Sequence, residues 1–236
     1  MKFPILMTKI HKWLALIIGF QFLLWVLGGL VMSWFPIEVV RGEHNIHEPE
    51  AFILNVDDSL LSMADVIASV GAINSIELKS LLGMPVYKVL TAENITLLFD
   101  ANTGEALSPL DEELTIQIAN ADFSGGAGNI SATMINERNT EYRGSLPVWL
   151  VMIGDEEDSR LYISPTTGDV IARRNDTWRL YDFFWMLHIM DYENRTNFNN
   201  PLVIIASIAA LIASISGIWL LFYRFGKRDF RWLGIK

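Results

Sequence analysis

Two stretches of this chain, Trp13 to Phe35 and Pro201 to Tyr223, contain no charged side chain. Each is about 23 residues long, roughly 34 Å as an α-helix, against a hydrocarbon core of about 30 Å. Nothing between them is apolar for as long. The sequence therefore predicts two transmembrane helices in a lipid bilayer, joined by a folded segment. Lys2, Lys9 and Lys12 before the first run are also what a signal peptide would carry. The run exceeds a signal h-region, however, and Leu30-Val31-Met32-Ser33-Trp34 offers no A-x-A-like cleavage site, so it reads as an uncleaved anchor.

Charge sets the expected orientation. Lys2, Lys9 and Lys12 precede the first run, and Arg224, Lys227, Arg228, Arg231 and Lys236, with Asp229, follow the second. Basic flanks favour the cytoplasm for both termini, which places the middle of the chain on the far side, most simply in the periplasm of a bacterium, with the helices in the inner membrane. The whole chain carries a formal charge of −9 although both tails are positive. The middle segment is thus strongly acidic and a poor partner for nucleic acid. There is no cysteine, which excludes thiol chemistry, disulfides, iron–sulfur ligation and covalent c-type haem.

The middle segment reads as α+β. Pro36 to Glu50 is polar and without periodicity. Leu60, Leu61, Met63, Ala64, Ile67 and Ala68 recur at helical spacing up to Gly71. Strand-like sequence follows at Ile73 to Leu82, Pro85 to Leu90 and Ile95 to Phe99, with turns at Ala92-Glu93-Asn94 and Asn102-Thr103-Gly104. Asp111 to Phe123 reads as a second helix. The pattern then recurs. Pro85-Val86-Tyr87-x-Val89 is echoed by Pro147-Val148-Trp149-x-Val151, and Asp100 to Leu107 by Ser164 to Ile171, with the acidic run Asp155 to Asp158 at a hairpin tip. Helix, strand, hairpin and Thr-Gly turn in the same order predict a duplicated unit.

On these features the chain resembles the PepSY-associated transmembrane family. The resemblance rests on the hairpins ending in Asn102-Thr103-Gly104-Glu105 and Thr166-Thr167-Gly168-Asp169, on His11-Lys12-Trp13-Leu14-Ala15-Leu16 opening the first span, and on Leu187-His188 before the last. It implies tandem PepSY-like repeats, each a helix on a small antiparallel sheet. The organisation expected is a cytoplasmic tail (1–12), a first transmembrane helix (13–35), a connector (36–58), repeats at 59–109 and 110–174, an interfacial aromatic helix (176–192), a second transmembrane helix (201–223) and a basic tail (224–236). Larger relatives have four or more spans, and usually Gly where this chain has Ala15.

The sequence itself requires no cofactor. In larger members that the chain resembles, membrane histidines ligate haem, which makes His11 and His188 its candidate ligands here, or else interfacial residues packing near the headgroups. His11 is expected at the inner edge of the first span and His188 at the outer edge of the membrane, roughly 30 Å apart. One subunit then cannot offer both to one haem, and a second copy or another protein would have to complete the site. In Trp178 to Tyr192, Tyr181, Trp185, His188 and Tyr192 form one helical stripe. Asp176 or Thr177 can cap that helix, Arg179 can pair with Asp182, and its aromatic content suits a membrane–water interface. His44-x-x-His47, near Glu43, Glu48 and Glu50, is the candidate metal pair, or simply part of a solvated strap. Gln21 is the one strongly polar side chain well inside the first span. With antiparallel spans it should meet Ser214 or Ser216, on a close-approach face formed by Ala206, Ala210, Ser214 and Gly217 with Gly28 and Gly29 opposite. No nucleophile–base motif, zinc-protease motif, P-loop or dinucleotide fingerprint occurs.

Two functions compete. In the first the chain is a non-catalytic, membrane-anchored accessory module that binds another exported or membrane protein, for instance by strand addition. In the second it is a haem-binding subunit of a membrane oxidoreductase, of the ferric-siderophore-reductase type used in iron uptake, completed by a second copy or a partner.

Overall fold

The computed structural model describes residues 3–47 and 59–224. In chain order these form α1 (Phe3–Trp34), α2 (Ile37–Val40), a short 3-10 turn (Glu43–Asn45), α3 (Met63–Val70), β1 (Ile73–Leu81), β2 (Met84–Thr91), β3 (Thr96–Asp100), α4 (Glu112–Asp122), β4 (Ser131–Ile135), β5 (Val148–Met152), β6 (Arg160–Ile163), β7 (Val170–Arg174), α5 (Asp176–Ile189) and α6 (Pro201–Arg224). Lys2, Glu48, Glu50 and the tail beyond Arg224 lie outside the described residues. The chain divides into a folded unit, Pro36–Arg179, and a unit made of the chain on either side of it.

The folded unit is α+β and built twice. Strands β1-β2-β3 make one antiparallel sheet and β4-β5-β6-β7 another. Ahead of each lies a helix with a side-chain cap, Ser62 accepting from the Asp65 amide on α3 and Asp111 from the Leu114 amide on α4. The turns after β3 and β6 match bond for bond. Gly104 and Gly168 both take positive φ, and their amides donate to the Asp100 and Ser164 carbonyls. The side chains of Asp100 and Ser164 accept from the next two turn amides, and Thr103 and Thr167 accept from Glu105 and Asp169. Even the fourth strand has a counterpart, since Ala106 bridges back to Phe99 where β7 pairs with β6.

Period-two alternation distributes the core. Val86 and Leu98 on the first sheet meet Val151, Leu161 and Ile163 on the second, with Leu110, Ile118 and Ala119 between them. Tyr87, Val89 and Phe99 point the other way and pack under α3 with Val66. On the far side of the second sheet, Tyr162 stacks on Tyr142 at 4.7 Å. Burial pushes both phenols above their usual range. The connector is also more structured than its composition suggests. Ile46 bridges to Phe123, and Asn175 donates to the Val39 carbonyl at 2.9 Å.

Charged pairs join the halves of this unit. Lys79 donates to the Thr167 carbonyl at 2.9 Å and reaches Asp169 at 3.2 Å. Burial alone would raise the Asp169 carboxyl. The Thr167 hydroxyl and the Lys79 and Lys88 ammonium groups outweigh it and hold the group below its usual range. A carboxyl held low adds stability above its unfolded value, about pH 4, and loses that contribution as pH falls through the lower folded value. Because the side chain is about half exposed, less than about 1 kcal/mol is at stake. Asp169→Asn should lower stability by that amount at pH 7 and flatten the loss below pH 4; an unchanged acid limb in urea melts contradicts this tie.

Around Glu141 a denser network forms. Its carboxylate accepts from Arg179 at 2.8 Å and from Arg160 at 3.2 Å, and Asp158 pairs with both guanidinium groups. Burial would lower Arg179, but the Glu141 hydrogen bond and charge, with Asp176 and Asp158, raise it. Arg179 also pairs with Asp176 at 2.9 Å. The cap of α5 is Asn175, which accepts from the Trp178 amide at 2.7 Å, rather than Asp176 or Thr177.

The second unit contains the two helices long and apolar enough to cross a membrane. α1 begins at Phe3 rather than Trp13, because Lys9 and Lys12 end an apolar run without ending a helix. The α1–α6 seam is formed by Leu14 and Ile18 against Ala206, Ala209, Ala210 and Ala213, small residues that permit close approach. α5 stops at Ile189, before Tyr192, with Met190 at positive φ.

Candidate functional site

A helix ends with four carbonyls that no intrahelical amide can reach, and in an apolar setting they need donors. Here α5 obtains three. Gln21 donates to the Leu187 carbonyl at 3.2 Å, Trp25 to the His188 carbonyl at 2.8 Å, and Asn200 to the Ile189 carbonyl at 2.9 Å. The expected partner of Gln21 is therefore displaced. It caps α5 instead of bonding a serine of α6, and Ser214 is exposed. Ser216, the other candidate, meets His11, ten positions earlier on α1 and about 15 Å away along its axis. Gly217 lies under the His11 ring, Gly28 faces Phe184 and His188 of α5, and Gly29 has open space beside it.

His11 packs against the middle of α6. Its Nδ1 lies 3.0 Å from the Ala213 carbonyl and 3.1 Å from the Ser216 hydroxyl. Ala213 is about 18 Å along α6 from its start, near the middle of that helix. A carbonyl only accepts, so Nδ1 is the donor to Ala213, and in the neutral ring Nε2 then keeps its lone pair. Metal-binding histidines commonly hold this tautomer with a backbone carbonyl behind them. His188 is placed differently. Its Nδ1 is buried without a hydrogen-bond partner among the described residues and sits beside Gly28. His11 and Gly28 are 17 positions apart on α1, about 25 Å. One chain does not bring the two imidazoles to one haem.

The candidate metal pair His44 and His47 lies on the connector, and its neighbours Glu48 and Glu50 are outside the described residues. His44 Nε2 lies 3.3 Å from Glu157, while the His47 amide donates to the Asp122 carbonyl. Among the described residues no group of three or more histidine or acidic side chains is placed to hold an ion.

The other candidate surface is a sheet edge. Among the described residues β1 pairs only with β2. The two-residue turn at Leu82 and Gly83, both at positive φ, makes Leu81 and Met84 a hydrogen-bonded pair. The alternate residues Ile76, Leu78 and Ser80 then direct their amides and carbonyls away from β2. β7, by contrast, has Gly42 packed against Arg173 and Arg173 paired with Asp122.

The sequence matches the family described as the PepSY-associated TM region over residues 8–235. The chain belongs to that family. No curated protein and no solved structure matches it. Its PepSY-type character lies in the doubled helix-and-sheet unit and the two flanking apolar helices, and it is a membrane protein. Sequence reasoning located both histidines and Gln21 in this PepSY-associated chain but missed the cap on α5, since backbone acceptors leave no residue signature. The Glu141 network was missed too, because Glu141 sits in an irregular segment without periodicity.

Proposed function

We propose that this protein is an accessory module whose folded unit faces the far side of the bacterial inner membrane and captures an extended segment of an exported or membrane protein by strand addition. The observation that carries this reading is the outer edge of β1, nine residues long and unpaired among the described residues. Free strand edges are normally shortened, charged or covered because they recruit other chains. The outward edge gives affinity through backbone bonds, and flanking side chains such as Glu77 and Lys79 give selectivity. The basic residues that flank the two uncharged runs support the orientation.

A proline at Ser80 removes one outward amide without touching the β1–β2 ladder. Photo-crosslinkers at Glu77 in the full chain should capture a polypeptide in membranes, and Ser80→Pro should cut that yield about tenfold while leaving the unfolding midpoint within a few degrees. Equal yields with and without the proline, at unchanged stability, contradict strand addition.

The His11 tautomer favours a second reading. Two copies of the chain would present two imidazoles with free Nε2 lone pairs, a suitable axial pair for haem, which would supply one-electron transfer. Ala213 and Ser216 orient each ring. Protein from haem-replete cells should then show a Soret band that His11→Ala abolishes; a colourless preparation contradicts this reading.

A further inference from the structure

We infer that His188 is a hydrogen-bond donor rather than an iron ligand, and that it serves a binding site for a lipid-soluble carbonyl compound. Within the membrane unit, Trp25, His188, Ile189, Phe198, Val203 and Ser207 line an open cavity of about 330 Å³, the lower end of the range for small-molecule sites. Its walls are apolar apart from the His188 ring and the Ser207 hydroxyl. Phe198 is held edge-on to Trp185, and the connector that carries it is fastened by the Arg195–Asp182 ion pair.

The ring's own surroundings fix its proton. Nδ1 is buried beside Gly28 with no acceptor or donor. An orphaned buried N–H is rarer than an under-used acceptor, so Nδ1 holds the lone pair and the proton sits on Nε2. His188 lines the cavity, and with Nδ1 turned to Gly28 we place the Nε2–H toward it. His11 has the reverse arrangement, so the two membrane histidines are not equivalent. A donor in an apolar cavity selects a neutral acceptor with an apolar body. A phospholipid ester carbonyl and a quinone carbonyl share that chemistry. Val203 and Ser207 lie in the first turns of α6, within about 10 Å of its start, a depth both ligands reach. This inference does not depend on the β1 edge.

The chain contains only four histidines, so the experiment is tractable by nitrogen-15 histidine NMR of the full chain in nanodiscs. His188 should show the Nε2–H tautomer and His11 the Nδ1–H tautomer. The His188 signal should move on exchanging ester-linked for ether-linked lipids, which identifies the lipid carbonyl, or on adding decylubiquinone but not decane, which identifies a quinone. Val203→Phe, which fills the cavity, should weaken that response about tenfold or more and leave the tautomer unchanged. An Nδ1–H tautomer at His188, or a signal indifferent to both ester lipid and quinone, overturns the inference.

Discussion

Glu141→Ala should destabilise the folded unit by about 2–4 kcal/mol, because it removes the more buried of the two carboxylates that Arg160 and Arg179 share. The Glu141 side chain is 13% exposed, while those of Arg160 and Arg179 are 30% and 23% exposed. The figure therefore sits at or below the usual cost of breaking a fully buried pair. Arg160 keeps Asp158 at 2.7 Å, but its Nε already lacks a partner. Tyr162 also loses the acceptor for its hydroxyl. Glu141→Gln keeps an oxygen acceptor and should cost about half as much. Urea melts of the full chain in detergent, followed by tryptophan fluorescence, read the difference. A change below about 0.5 kcal/mol for the alanine variant shows that the network is solvated and does not hold the first turn of α5.

Leu161→Ala should cost about 3 kcal/mol, within the 2–5 range for large-to-small changes in a packed core. Leu161 is 2% exposed and joins the core shared by both sheets. The neighbouring strand supplies the control. Ile171 on β7 is 47% exposed, so Ile171→Ala should stay within about 0.5 kcal/mol. Similar losses at both positions contradict the assignment of faces on the second sheet.

The parts of this protein that were legible in its sequence are those with a local physical signature. An uncharged run of membrane length has few other uses, and a glycine at positive φ after a threonine marks a turn, so the two spans and the doubled hairpins could be read directly. Partners across distance could not. Gln21 requires a hydrogen bond in an apolar setting, and that much is sequence information. Its choice of the Leu187 carbonyl over a serine on α6 depends on where α5 ends. The same holds for His11. Its place opposite the middle of α6 depends on how two helices distant in sequence pack, which no local pattern records. Glu141 had no pattern around it, and its role arises only when β6 and α5 converge on the 136–147 segment.

The absence of native cysteines makes the central claim directly measurable. Single cysteines placed at Glu156, exposed at the β5–β6 hairpin, and at Lys236 can be treated with a membrane-impermeant maleimide in intact cells stripped of their outer membrane. The account predicts labelling at position 156 and protection at position 236 until the inner membrane is opened. Protection at 156 with ready labelling at 236 contradicts it.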